Sequence, residues 1–180
     1  MTERTSFVDI ADSRLSFTKE FFAKLPKVDL HVHLDGSLRL QTILELAEEN
    51  GIDLGVDDLE GLEKLIKPGV KHKSLKDYLE AFKYTLKVMQ TDKALYRAAY
   101  ELAEDAAKEN IEYMEVRYSP ILHTKQRLSL AAILESVLSG LRDARKDIGI
   151  DSGVIVCGIR NISPDVSLRL AELAAAFKNR

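Results

Sequence analysis

Lys27-Val28-Asp29-Leu30-His31-Val32-His33-Leu34-Asp35-Gly36 is the stretch on which the reading of this chain turns. Apolar and polar residues alternate strictly along it. On a regular strand Val28, Leu30, Val32 and Leu34 share one face, and Asp29, His31, His33 and Asp35 share the other. Four titratable side chains in a row suit a metal site better than a core. Two histidines two residues apart can turn both imidazoles to one ion, and neutral imidazole is a good ligand for zinc. The spacing therefore predicts half of a zinc site. The plainer alternative is a strand with a solvated polar face, against which stands the usual covering of parallel strands on both faces.

Upstream, residues 1–24 carry a weak amphipathic pattern (Phe7, Ile10, Leu15, Phe17, Phe21, Phe22), read as an N-terminal helical segment that Leu25-Pro26 ends. Downstream, Asp35-Gly36 closes the strand. Ser37 is placed to cap a helix from Leu40 to Asn50, which stops at Asn50-Gly51. A short helix is expected over Leu59–Ile66. Ser74-Leu75-Lys76-Asp77 reads as a capping-box start, with Asp where Glu or Gln is usual. Beyond it Leu75, Tyr78, Leu79, Phe82, Leu86 and Met89 form one apolar stripe at helical spacing. Thr91-Asp92 restarts an alanine-rich helix, Lys93 to Glu109. Ile111 to Pro120 is a second strand, with Met114, Val116 and Tyr118 on one face and Glu115 and Arg117 on the other. Ser129 caps a helix to about Ile148, Gly153 to Arg160 is a third strand, and Ser163-Pro164 opens a last helix with proline at its first position.

Strands that alternate with helices in this order are parallel and joined by right-handed crossovers, an α/β fold. A complete barrel of eight such units takes about 250 residues. The expectation is a partial (β/α)8 barrel of the TIM type: its first three strands with their helices, residues 25–180 forming one incomplete domain behind the 1–24 segment. In such a barrel the C-terminal ends of the strands line the active site, and His31, His33 and Asp35 fall there. An arginine inside the barrel needs a carboxylate, so Arg117 is expected to pair with Glu115 or Asp29; an outward Glu115–Arg117 ion pair is the alternative. His72 and His123 lie in polar loops and are expected to be solvated. Cys157 is expected to be a small buried hydrophobe rather than a nucleophile.

Hydrophobic residues make up 46% and charged residues 31% of the chain, as in a soluble globular domain. A net charge of -3 with both signs interspersed gives no nucleic-acid-binding surface. A single cysteine leaves no disulfide within the chain, and together with the lack of a signal-like or membrane-spanning apolar run it points to the cytoplasm and away from a membrane. There is no Gly-rich phosphate loop. The His-x-Glu and Pro-Cys-x-x-Cys pair of the cysteine-ligated zinc nucleobase deaminases is also missing.

Lys27-Val-Asp-Leu-His-Val-His-Leu-Asp-Gly-Ser37 followed by Gln41-Thr-Ile-Leu44 resembles the N-terminal metal-binding strand and first helix of the adenosine deaminases, which are amidohydrolase-type barrels. The likeness continues at Ser74 to Phe82, at Tyr113 to Pro120 and around Cys157-Gly-Ile-Arg160, and so covers nearly everything after about residue 25. The resemblance implies that His31 and His33 are two of the ligands of a Zn2+ ion, and that His33 and Asp35 lie against a nucleoside, with Asp35 at its ribose end. It implies that Leu75, Tyr78, Leu79 and Phe82 form a hydrophobic gate over the purine pocket, where periodicity alone reads a core stripe. Arg117 would be structural, inside the barrel. The implied reaction is hydrolytic deamination of adenosine or 2'-deoxyadenosine to inosine or 2'-deoxyinosine, a step of purine salvage.

The family's catalytic glutamate lies in a His-Ala-Gly-Glu segment on a later strand. That segment, a further histidine and the last metal-binding aspartate do not occur in these 180 residues. No catalytic residue is therefore expected here, and two protein ligands fall short of the three usual for catalytic zinc. The chain alone is expected to be inactive and to need the C-terminal half of its barrel as partner. The alternatives are a non-catalytic truncated fragment and a deaminase for adenine or another aminopurine.

Overall fold

In the computed structural model, which describes residues 17–66 and 80–178, three strands form one parallel sheet. They are β1 (Lys27–His33), β2 (Ile111–Tyr118) and β3 (Asp151–Val156), hydrogen-bonded in that order. The described helices are α1 (Lys19–Lys24), α2 (Leu40–Glu49), α3 (Leu59–Ile66), α4 (Phe82–Val88), α5 (Asp92–Lys108), α6 (Leu130–Ile148) and α7 (Pro164–Ala176). A 3-10 turn, Pro120–His123, follows β2. Parallel strands in chain order with helical crossovers are the start of a (β/α)8 barrel, as the alternation predicts.

Helix starts follow local chemistry. Thr91 and Ser129 each accept a hydrogen bond from the backbone N–H three residues on, at Ala94 and Ala132, and so satisfy donors that the first turn leaves free. Ser163 does the same for Asp165, ahead of Pro164 at the first helical position. Ser37 does not cap α2. Its hydroxyl donates to His33 O at 2.5 Å and closes the turn after β1, while α2 begins at an N-cap, Arg39, with no side-chain cap.

The core lies between the sheet and α5 and α6. Met114, Val116 and Tyr118 of β2 point into it, opposite the small buried face of α5 (Ala94, Ala98, Ala99, Ala103) and Ile133, Leu134 and Val137 of α6. Small residues let the helices approach closely. A Cβ placed on Gly140 of α6 would lie 2.4 Å from Tyr96 O of α5. Across α2 and α5 runs a polar lattice: Arg97 reaches Glu45 at 2.6 Å and Glu101 at 2.7 Å, and Thr42 Oγ1 donates to Glu101 at 2.5 Å. Arg39 adds bonds to Glu104 and to Asp105, whose carboxylates hold its guanidinium above the usual arginine range. The lattice fixes α2, and with it the end of β1.

Four further expectations are corrected. The strict alternation of β1 fails, because Asp29 pairs with Met114 and Val32 with Val116, three residues against two. The extra residue is a bulge at Leu30–His31. Asp29 and Val32 therefore both line a cleft with Leu102 and Ala106 of α5, while Val28 and Leu30 are 60% and 55% exposed on the other side. Secondly, β3 ends at Val156, short of Arg160. Thirdly, His123 is fully buried in the turn after β2 and not solvated. Lastly, Cys157 is only half-buried. The stretch Ser74–Leu79, His72 and most of the 1–24 segment fall outside the described residues; of that segment α1 is described.

Candidate active site at the C-terminal end of the sheet

β1 delivers His31 and His33 to the carboxyl end of the sheet. Their ring centroids are 5.6 Å apart and their planes tilted by 33°, so both imidazoles stand on the same side and can address one ion. The bulge sets this arrangement. Asp29 Oδ1 accepts the His31 N–H at 2.9 Å, and Arg117 Nη2, arriving from β2 where Arg117 pairs with His33, donates to Leu30 O at 2.9 Å. Arg117 thus takes a backbone carbonyl where a carboxylate was expected. Its Nε is buried without a hydrogen-bond partner among the described residues.

Asp35 follows in the turn. It is 7% exposed, and burial pushes its carboxyl above the usual range, with the His33 ring as the opposing influence. Its Oδ1 lies 3.7 Å from His33 Nδ1, too far for a hydrogen bond, and has no other partner among the described residues. A buried carboxylate oxygen left unpaired is costly unless something polar meets it.

Phe82, at the start of α4, closes over this corner. A Cβ on Gly36 would touch its ring at 3.3 Å, and the ring stands edge-on to His33 at 6.4 Å between centroids. Of the four expected gate residues, Phe82 is therefore at the site, while Leu75, Tyr78 and Leu79 lie outside the described residues. Cys157, just past β3, is close enough to Arg117 and Asp35 to feel both charges, and burial raises its thiol.

His31 and His33 fit a metal ion through two ring nitrogens, and the orphaned Asp35 oxygen beside them fits a polar group. Among the described residues no cluster of three or more His, Cys, Asp or Glu side chains could hold a metal.

The family model described as adenosine deaminase matches residues 26–180. The chain is 39% identical over 159 residues to the adenosine deaminase of Clostridium acetobutylicum, covering 88% of itself and 48% of that relative. Among solved structures it is similar to the adenine deaminase of Arthrobacter aurescens (TM-score 0.75, 26% identity, 84% of this chain and 45% of the other). It is also similar to ADAL from Arabidopsis complexed with GMP (TM-score 0.72, 27% identity, 87% and 47%). In all three comparisons the chain spans just under half the length of the protein it matches.

Proposed function

The chain belongs to the adenosine deaminase family, and we propose that it forms the N-terminal part of a zinc-dependent enzyme converting adenosine and 2'-deoxyadenosine to inosine and 2'-deoxyinosine, with water consumed and ammonia released, in cytoplasmic purine salvage. The observation that carries this reading is the histidine pair standing beside a buried aspartate, one of whose oxygens has no hydrogen-bond partner among the described residues, with an aromatic ring edge-on to His33. His31 and His33 would hold the zinc, which when bound lowers the pKa of a water so that it can attack the purine carbon bearing the amino group.

The chain's own residues bind and orient. His33 and Asp35 lie against the nucleoside, and the free Asp35 oxygen accepts from a ribose hydroxyl. Phe82 walls the purine from water, with Leu75, Tyr78 and Leu79 completing a hydrophobic gate. Arg117 is structural: through Leu30 O it holds the bulge that brings the two imidazoles together. The remaining metal ligands and the glutamate that protonates the purine ring come from the other half of the barrel, so residues 25–180 by themselves are inactive. Neither nucleic acid nor membrane is a partner in this reading, and no described helix is long and apolar enough to cross a membrane.

A second reading, a deaminase of adenine or another aminopurine, is favoured by the likeness to the Arthrobacter enzyme. One experiment tests both. The 180-residue chain with zinc, and a polypeptide continuing past Arg180 through a His-Ala-Gly-Glu segment, are each given adenosine and adenine. The expected result is inosine from the longer protein alone; hypoxanthine without inosine replaces the first reading by the second, and turnover by the short chain overturns the incomplete-site reading.

A further inference from the structure

Gln90 and His123 are buried polar residues that the nucleoside reading leaves without a role. Gln90 is 3% exposed, and both polar atoms of its carboxamide are hydrogen-bonded. Nε2 donates to Leu86 O at 2.6 Å and to Leu122 O at 3.0 Å, and Oε1 accepts from Lys125 N at 3.0 Å. Two donors and one acceptor thus join the last turn of α4 to the turn after β2, some thirty residues away in sequence. His123, fully buried, adds a fourth bond, its Nδ1–H donating to Met89 O at 2.8 Å. Carbonyls at a helix C-terminus have no partner within the helix. Here a side chain from another loop supplies one.

The turn that carries His123 is itself fixed to the sheet. Ser119 Oγ donates to Cys157 O at 2.7 Å, and the Tyr118 ring meets the His123 ring edge-on at 5.7 Å between centroids. At the other end of α4 is Phe82, on Gly36 and against His33. A helix of this length is about 10 Å long and stiff, so an anchor at one end places the side chain at the other.

We propose that Gln90 and His123 are positioning residues. They latch the C-terminal end of α4 to the turn after β2, and so hold the Phe82 ring over Gly36 and beside His33. The value of that placement to substrate rests on the nucleoside reading above, in which Phe82 walls the purine. The latch itself does not.

The test uses the 180-residue chain and follows the His33 ring resonances by NMR, with amide exchange over residues 86–90. Gln90→Met and His123→Leu are each expected to move the His33 resonances toward their positions in Phe82→Ala, and to speed exchange: about tenfold for His123→Leu, the scale of one lost hydrogen bond with its buried partner left open, and more for Gln90→Met, which loses three. His123→Asn, whose side-chain N–H can replace Nδ1–H, is expected to restore both. Ile133→Val, a general core weakening, is expected to lower the melting temperature and leave His33 unmoved. Unchanged His33 resonances in folded Gln90→Met and His123→Leu, or an equal displacement in Ile133→Val, overturn the latch. If His123→Leu does not fold, Gln90→Met and His123→Asn decide between the same two outcomes. Metal, nucleoside and turnover play no part in these readouts, so loss of the deaminase reading and loss of the latch are told apart.

Discussion

Asp29 and Val32 sit three residues apart in β1 yet face the same side of the sheet, toward α5, because three residues of β1 are matched by two of β2. A regular strand would put them on opposite faces. The bulge between them lets Asp29 leave the polar row and hold the His31 backbone at 2.9 Å, while Arg117 of the next strand takes the freed Leu30 carbonyl. Side chains from two strands thus set the angle of one histidine.

Asp29→Ala is expected to keep both imidazoles and to bind zinc about tenfold more weakly, the lower end of the cost of losing a group that orients a ligand. Isothermal titration of the chain with zinc measures it. Unchanged affinity would mean the bulge is held without Asp29.

His31→Ala and His33→Ala each leave one imidazole at the site. Each is expected to lose stoichiometric zinc in elemental analysis of a polypeptide extended past Arg180 through a His-Ala-Gly-Glu segment. Full metal retained by either variant overturns the ligand assignment.

Burial pushes His123 down to about 4, from an ordinary value near 6.5. The unfolded chain binds that proton first as pH falls, so the buried neutral ring stabilises the fold above about pH 6.5, and this contribution disappears as pH drops toward about 4. The loss amounts to as much as about 3 kcal/mol. Urea melts from pH 7 to 4 are expected to show it, and His123→Asn to flatten that part of the profile. An identical slope in the variant would assign the acid sensitivity to other groups.

Gly140→Ala brings a methyl group to 2.4 Å from Tyr96 O, a backbone atom that cannot turn aside. The expected cost is about 3 kcal/mol, the upper part of the range for overpacking. Thermal unfolding of the variant reads it directly; a loss under half that size would mean that α5 and α6 slide apart easily.

β1 and β3 are the two edges of the sheet, and Val28 and Leu30 are exposed on the strand that starts it. Open parallel edges with apolar flanks template further pairing. The isolated chain is expected to associate with rising concentration in sedimentation velocity. A monodisperse monomer that melts cooperatively would show that the edges are blunted.

Much of this molecule is legible in its residues. Thr91, Ser129 and Ser163-Pro164 mark helix starts because capping is a bond between near neighbours. Met114, Val116 and Tyr118 mark the buried face of β2 because from Tyr113 to Tyr118 that strand pairs residue for residue with β3. His31, His33 and Asp35 are the candidate site residues that the pattern singles out, and the structure brings them together at one corner with Phe82. The alternation misplaces Asp29, because a bulge depends on how the next strand pairs and leaves no mark on the alternation itself. Arg117 found a carbonyl and not a carboxylate for the same reason. His123 reads as a loop residue, and its contacts are the Met89 carbonyl, thirty-four residues away, and the Tyr118 ring, which no periodicity reports. Local chemistry is written in local sequence. The direction of a histidine on a bulged strand, and the burial of another in a turn, are set by contacts between residues tens of positions apart, and these exist only once the strands have paired.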